Sequence, residues 1–257
     1  MKQFIVDAFT EKIFGGNPAG VCVMENFPSE ELMRNIAMEN NLSETAFAVK
    51  EGNFYRLRWF TPAVEVNFCG HATLATAFVL FNFYEKNSRR IEFETLSGKF
   101  FVERKENLFE MDFPAYLPKK IPVTREMAAA IGAKILEAYL DRDLLMILES
   151  AEAVEKLSPN LDALKNLDGL TQAVTAADKN FDCVSRVFAP KIKVPEDPVT
   201  GSTHCLIAPY WAARLGKKKI IARQASARGG ILYCEVLGER VKISGNAALF
   251  SIADLKI

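Results

Sequence analysis

The chain is a succession of short apolar runs broken by glycine, proline and asparagine, which predicts many short strands and few helices. Residues 2–9 alternate apolar and polar side chains and read as a half-buried strand. The loop Gly15-Gly16-Asn17-Pro18-Ala19-Gly20 follows and feeds an apolar strand over 21–24. A helix opens at Pro28-Ser29-Glu30-Glu31, with Ser29 as its cap and the two glutamates at its positive end. Leu32, Met33, Ile36 and Ala37 form its inward stripe, and it frays at Asn40-Asn41. Residues 45–49 are an interior strand, so Glu44 sits where helix hands over to sheet. A carboxylate in such a place is costly unless it is paired or used.

Further strands are expected over 54–60 and within 91–113, with a hairpin turn at Asn107. Residues 114–122, with three prolines and two lysines, are the candidate linker between halves. Beyond it the pattern predicts a helix over 125–131 capped by Thr124, and a buried strand over 144–148. A helix is expected to open at Ser158-Pro159, followed by strands over 170–175 and 181–188. The chain closes with an exposed turn at Gly216, a glycine loop over 224–230, and strands over 231–236, 240–243 and 247–252.

One pattern occurs twice. Residues 60–78 read as a strand, a short loop, a glycine and an apolar helix, and residues 188–211 repeat that outline. Phe60-x-Pro62-x-Val64-x-Val66 matches Phe188-x-Pro190-x-Ile192-x-Val194, with three extra residues before the second glycine. Gly70 opens the first helix and Gly201 the second, and the only two histidines, His71 and His204, come just after them. Self-similarity of this kind predicts two pseudo-repeated halves, 1–117 and 118–257, with the last strand free to return to the N-terminal half.

Bulk composition narrows the function classes. A chain of 257 residues with 49% hydrophobic and 25% charged content is that of an ordinary soluble globular protein. Thirty-two basic and 32 acidic residues balance, so nothing steers the chain to nucleic acid or to an anionic membrane. Five cysteines without a C-x-x-C pair argue against a disulfide scaffold and a structural zinc site. The N-terminal stretch is too short and polar for a signal peptide, and no apolar run approaches the roughly 18 residues of a membrane span. A cytoplasmic protein is expected.

The chemistry points to acid–base work. Helix N-termini present unpaired N–H groups and a positive dipole end, and glycine lets a ligand approach the backbone there. Gly70 and Gly201 could thus bind a small carboxylate or a developing enolate. Neither a phosphate-binding loop nor a dinucleotide fingerprint is present, and no G-x-S-x-G elbow surrounds Ser202. The remaining candidates for proton transfer are Glu44, His71, Asp197 and His204.

The motifs Gly16-Asn17-Pro18-Ala19-Gly20-Val21, Ser43-Glu44-Thr45-Ala46-Phe47, Phe68-Cys69-Gly70-His71-Ala72-Thr73-Leu74, Glu196 through His204, and Gln224 through Gly230 span nearly the whole chain. Together they resemble the PhzF-like isomerase family, named for phenazine biosynthesis, within the diaminopimelate-epimerase-like fold. That resemblance implies an α+β protein of two pseudo-repeated domains, each a mixed sheet wrapped around a central helix, with the active site in the cleft between them. It implies no metal, no organic cofactor and a homodimer. In the phenazine enzyme an acidic residue moves a proton between ring carbons of a dihydro-hydroxyanthranilate, and Glu44 stands in its place. His71, Asp197 and Ser202 match other site residues, and Gly70, Gly201, Gly229 and Gly230 would lend backbone N–H groups, with Asn17 beside them as a further substrate-binding candidate.

A carboxylic acid held in reach of a carbon can accept and return its proton, which suits Glu44 to the shuttle role. Two alternatives stay open. Epimerases of this fold use one cysteine from each half; here Cys69 precedes Gly70, but Thr200 precedes Gly201. A catalytically silent carboxylate-binding protein could also keep the same fold.

Overall fold

The computed structural model describes residues 1–257 and divides them into two compact units, Met1–Asp112 with Ser244–Ile257, and Phe113–Ile243. Each unit is a mixed sheet around one buried helix, the α+β architecture expected from the sequence.

In the first unit, strand Lys2–Ala8 pairs antiparallel with both Ala247–Asp254 and Asn17–Met24. Asn17–Met24 runs parallel to Glu44–Glu51, the crossover being the helix Glu30–Asn40. Ser29 accepts a hydrogen bond from the Leu32 amide, and Asn41 closes the helix at φ 48°. Glu44–Glu51 turns back on Phe54–Phe60, which pairs parallel with Arg90–Thr95; Gly98–Lys105 and Leu108–Pro114 complete the run. The helix Gly70–Val79 packs on the strands Lys2–Ala8, Asn17–Met24 and Glu44–Glu51. It is buried at every position except Phe78, which explains its largely apolar sequence.

The second unit repeats this order. Ile135–Leu140 pairs antiparallel with Leu144–Leu148, which is parallel to Gln172–Ala176 across two short helices, Ala151–Glu155 and Leu161–Leu164. Gln172–Ala176 turns back on Cys183–Ala189, and the helix Gly201–Leu215 leads to Lys219–Gln224, parallel to Cys183–Ala189. Gly230–Leu237 follows antiparallel. The sequence echo is thus one topological unit used twice: a hairpin, a short returning strand, a glycine-led helix, and a parallel strand.

Three expectations need correction. Residues 60–66 and 188–194 are not continuous strands. Phe60 instead pairs with Glu65, and Ala189 with Val194, across tight reversals. Pro62 and Pro190 sit in those reversals, where a residue without an N–H cannot extend a ladder. Residues 114–122 are not a bare linker, because Lys119–Ile121 pairs with Ile135–Leu140. The helix placed at Ser158-Pro159 begins at Leu161 instead, since Asn160 accepts from the amides of Asp162 and Ala163 and so provides the cap.

Candidate active site

Two groups of side chains gather at the starts of the two central helices. In the first unit, Ala19 and Glu44 are register partners on neighbouring parallel strands, so Asn17 lies two residues from Glu44's partner on the same face. The loop before Asn17 turns at Gly16, which has φ +61° and where a Cβ would lie 2.1 Å from the Ala8 carbonyl oxygen. Only glycine fits there. His71, the second residue of the helix, completes the group.

The ring of His71 is held at Nδ1. Asn17 Nδ2 lies 3.2 Å from Nδ1, and Cys69 Sγ lies 3.5 Å from the same atom. An amide nitrogen only donates, so Nδ1 accepts and Nε2 carries the ring proton. Nε2 lies 3.3 Å from Glu44 Oε2. Burial pushes the His71 pKa down to about 3, so this contact joins a neutral imidazole to a carboxyl group and is not an ion pair. Glu44 itself is mostly buried, with 18% of its side chain exposed.

Donor atoms of Glu44, Cys69 and His71 lie within 4.8 Å of one another, a set that a borderline ion such as zinc accepts. The geometry favours a polar relay over a chelate. The thiol faces Nδ1 and the carboxylate faces Nε2, on opposite edges of the ring.

In the second unit, Asp197 ends the strand Val194–Asp197, and its Oδ2 accepts from Thr200 Oγ1 at 2.6 Å. Gln224, fully buried, braces the segment between them: its Oε1 accepts from the Thr200 amide at 2.8 Å and its Nε2 donates to the Asp197 carbonyl at 2.7 Å. Thr200 does not cap the helix Gly201–Leu215 with its side chain, and neither does Cys69 cap Gly70–Val79. Both helices therefore begin with backbone N–H groups that no N-cap side chain satisfies. Ser202, one residue in, accepts from Arg142 Nη2 at 3.1 Å.

The structure therefore brings Asn17, Glu44, Gly70 and His71 into one group, and Asp197, Gly201 and Ser202 into another. Gly229 and Gly230 are drawn in through Ser226: its hydroxyl donates to the Pro198 carbonyl at 2.7 Å and accepts from the Gly229 amide at 3.0 Å. Gly229 has φ +66°, and Gly230 opens a strand as the partner of Gln224. The other histidine is occupied differently. His204 Nδ1 donates to the Thr200 carbonyl at 2.8 Å, Nε2 lies 3.3 Å from Ser185 Oγ, and burial holds its pKa down at about 4. Its contacts tie the helix start to a strand. The sequence reading missed Arg142, Asp143 and the bracing role of Gln224. The run Asp141-Arg142-Asp143 looks like a charged turn, and nothing local signals that Asp143 is fully buried.

A mixed sheet wrapped around a glycine-led helix, built twice in one chain, defines the diaminopimelate-epimerase-like class. The likeness extends to a probable proline racemase from Agrobacterium radiobacter, with a TM-score of 0.66 at 11% identity over 100% of this chain and 93% of that one, which speaks for the fold alone. The chain belongs to the phenazine biosynthesis-like protein family, PhzF, whose model matches residues 6–253. It is 47% identical to an uncharacterized isomerase of Pseudomonas aeruginosa over 253 residues, 98% of this chain and 97% of the relative. A crystal structure of a PhzF-family phenazine biosynthesis protein from Enterococcus faecalis superposes with a TM-score of 0.98 at 51% identity, covering 100% of this chain and 99% of that one.

Proposed function

We propose that the protein is a metal- and cofactor-independent isomerase that moves a proton at carbon in a small cyclic or amino carboxylate. The observation that carries this reading is the Glu44 carboxyl group beside a buried, neutral His71 whose tautomer Asn17 fixes. Glu44 takes a proton from one carbon of the substrate and returns it to another. His71 keeps its Nε2 proton throughout and offers it as a hydrogen bond to the carboxylate or to charge developing on the substrate. Asp197, held by Thr200, orients a substrate hydroxyl or amino group. The first N–H groups of the helix Gly201–Leu215 and the Ser202 hydroxyl bind the anionic group.

A second reading has one specific observation in its favour. Cys69 Sγ lies 3.5 Å from His71 Nδ1, as a thiol base would. A two-base epimerase needs a matching group at Thr200, whose hydroxyl is instead given to Asp197. Turnover of a small panel of carboxylates, including a dihydro-hydroxyanthranilate, separates the two. Glu44→Gln should lower kcat by about 10²–10⁴, the usual worth of a positioned acid–base group, while Cys69→Ala stays within about threefold of the parent. Loss of activity in Cys69→Ala with retention in Glu44→Gln would reverse the assignment.

A further inference from the structure

Arg142 belongs to no motif considered above, yet it is the only charged side chain seen touching Ser202. Its position is set by Asp143, a fully buried carboxylate. Asp143 accepts from Arg142 Nε at 3.2 Å, from Arg142 Nη2 at 2.5 Å, from Thr203 Oγ1 at 2.9 Å and from the Thr171 amide at 3.3 Å. Every one of these donors is needed, because an uncompensated charge at such a site would be strongly destabilising. The backbone at Asp143 is itself clamped: Gly169 packs so closely that a Cβ there would lie 2.5 Å from the Leu144 nitrogen. The face of the guanidinium is covered by the Tyr116 ring, 5.3 Å from Cζ.

This arrangement commits the Nε and Nη2 hydrogens of Arg142 and leaves those of Nη1. Nε and one hydrogen of Nη2 serve Asp143, and the second hydrogen of Nη2 serves Ser202. The two hydrogens of Nη1 have no acceptor within the chain, and 29% of the side chain is exposed. A guanidinium needed only to neutralise Asp143 would have no reason to reach Ser202. Three kinds of donor instead meet at the start of the helix: the Nη1 hydrogens, the Ser202 hydroxyl and the backbone N–H groups that Thr200 leaves uncapped. An acceptor with two oxygens can take an Nη1 hydrogen on one oxygen and the neighbouring Ser202 hydroxyl on the other, and a carboxylate is such a group.

We propose that Arg142 selects substrates that carry a carboxylate and positions the Ser202 hydroxyl that helps to bind it. The proposal rests on the reading of Ser202 as a substrate-binding residue, but not on Glu44 as the base. Arg142 is a specificity-determining residue, and Asp143 acts through it by holding the guanidinium in one orientation.

The test compares binding of acid and amide pairs, benzoate with benzamide and anthranilate with anthranilamide, by calorimetric titration at low salt. Wild type should bind at least one acid about tenfold or more tightly than its amide, the scale of one charge-assisted contact. Arg142→Met should abolish that preference, and Arg142→Lys, which keeps the Asp143 pairing but loses the planar fork, should retain only part of it. Arg142→Met leaves Asp143 buried without its cation and is prone to misfold; the double variant Arg142→Met/Asp143→Asn removes both charges and should fold while still lacking the preference. Glu44→Gln should keep the preference in full. An acid preference that survives in the double variant, or that Arg142→Lys keeps undiminished, would overturn the proposal, and so would its absence in wild type. A Glu44→Gln variant that binds and turns over normally would sink the acid–base reading while leaving the Arg142 proposal standing.

Discussion

At the scale of single residues, the account turns on what burial does to His71. A histidine exposed to water titrates near 6.5, whereas burial pushes His71 to about 3 and His204 to about 4. The unfolded chain therefore binds two protons that the folded chain refuses between those values and 6.5. Stability is fully present above 6.5 and falls as pH drops below it, by up to about 2.7 kcal/mol per pH unit for two groups. Between pH 6.5 and 5 ordinary carboxylates stay ionised, so chemical denaturation across that window reports the histidines. A midpoint that stays level from pH 7 to 5 would mean that both rings take up protons in the fold as they do in the unfolded chain. The sequence showed both histidines and Glu44 as candidates, since each follows a glycine or precedes a strand. It could not show which histidine meets Glu44, because the local context of His71 and His204 is alike and only the tertiary partners differ. Asn17 meets His71, whereas Ser185 and the Thr200 carbonyl engage His204.

At the scale of elements, the two glycine-led helices depend on braces outside themselves. Gln224 reaches from its strand to both ends of the 197–200 segment, satisfying a buried amide and a carbonyl. Gln224→Ala should destabilise the protein by about 1–3 kcal/mol, the usual cost of orphaned buried groups, and should lower kcat through Asp197. Differential scanning calorimetry and steady-state kinetics read the two effects. Unchanged kcat in a stable variant would show that Asp197 needs no such support. Gly16→Ala probes the other helix group. The substitution places a methyl against the Ala8 carbonyl at positive φ, so a loss of about 1–3 kcal/mol is expected, with Asn17 shifted off His71 and kcat reduced. Wild-type stability and turnover would contradict the claim that the turn is fixed there.

Element order was legible from apolar runs and turn residues. The errors came where a two-residue pattern ran through a proline. Phe60-x-Pro62-x-Val64 alternates like a strand, yet the chain reverses within it, and Val64 and Ile192 at the two equivalent tips are exposed. Alternation records which side chains share a face only while the backbone stays extended.

For the molecule as a whole, the repeat in sequence reflects a repeat in topology, and the family match spans residues 6–253. No helix is long and apolar enough to cross a membrane. The halves differ at the position before each helix glycine, where Cys69 stands in one and Thr200 in the other. The remaining cysteines are filler. Burial raises the thiols of Cys22 and Cys205 to about 12, and those of Cys183 and Cys234 are raised as well. Ellman's reagent at pH 8 should therefore modify these four only after denaturation, when all five cysteines react. Rapid modification of two or more thiols in the native protein would contradict this.

The central claim is that Glu44 moves a proton at carbon, and proton NMR in deuterated buffer tests it directly. A dihydro-hydroxyanthranilate and a small set of cyclic and amino carboxylates would be incubated with wild type and with Glu44→Gln. The account predicts deuterium at a substrate carbon with wild type, lost in the Glu44 variant while the ligand still binds. Exchange that persists in Glu44→Gln, or its absence from every ligand shown to bind wild type, would contradict it.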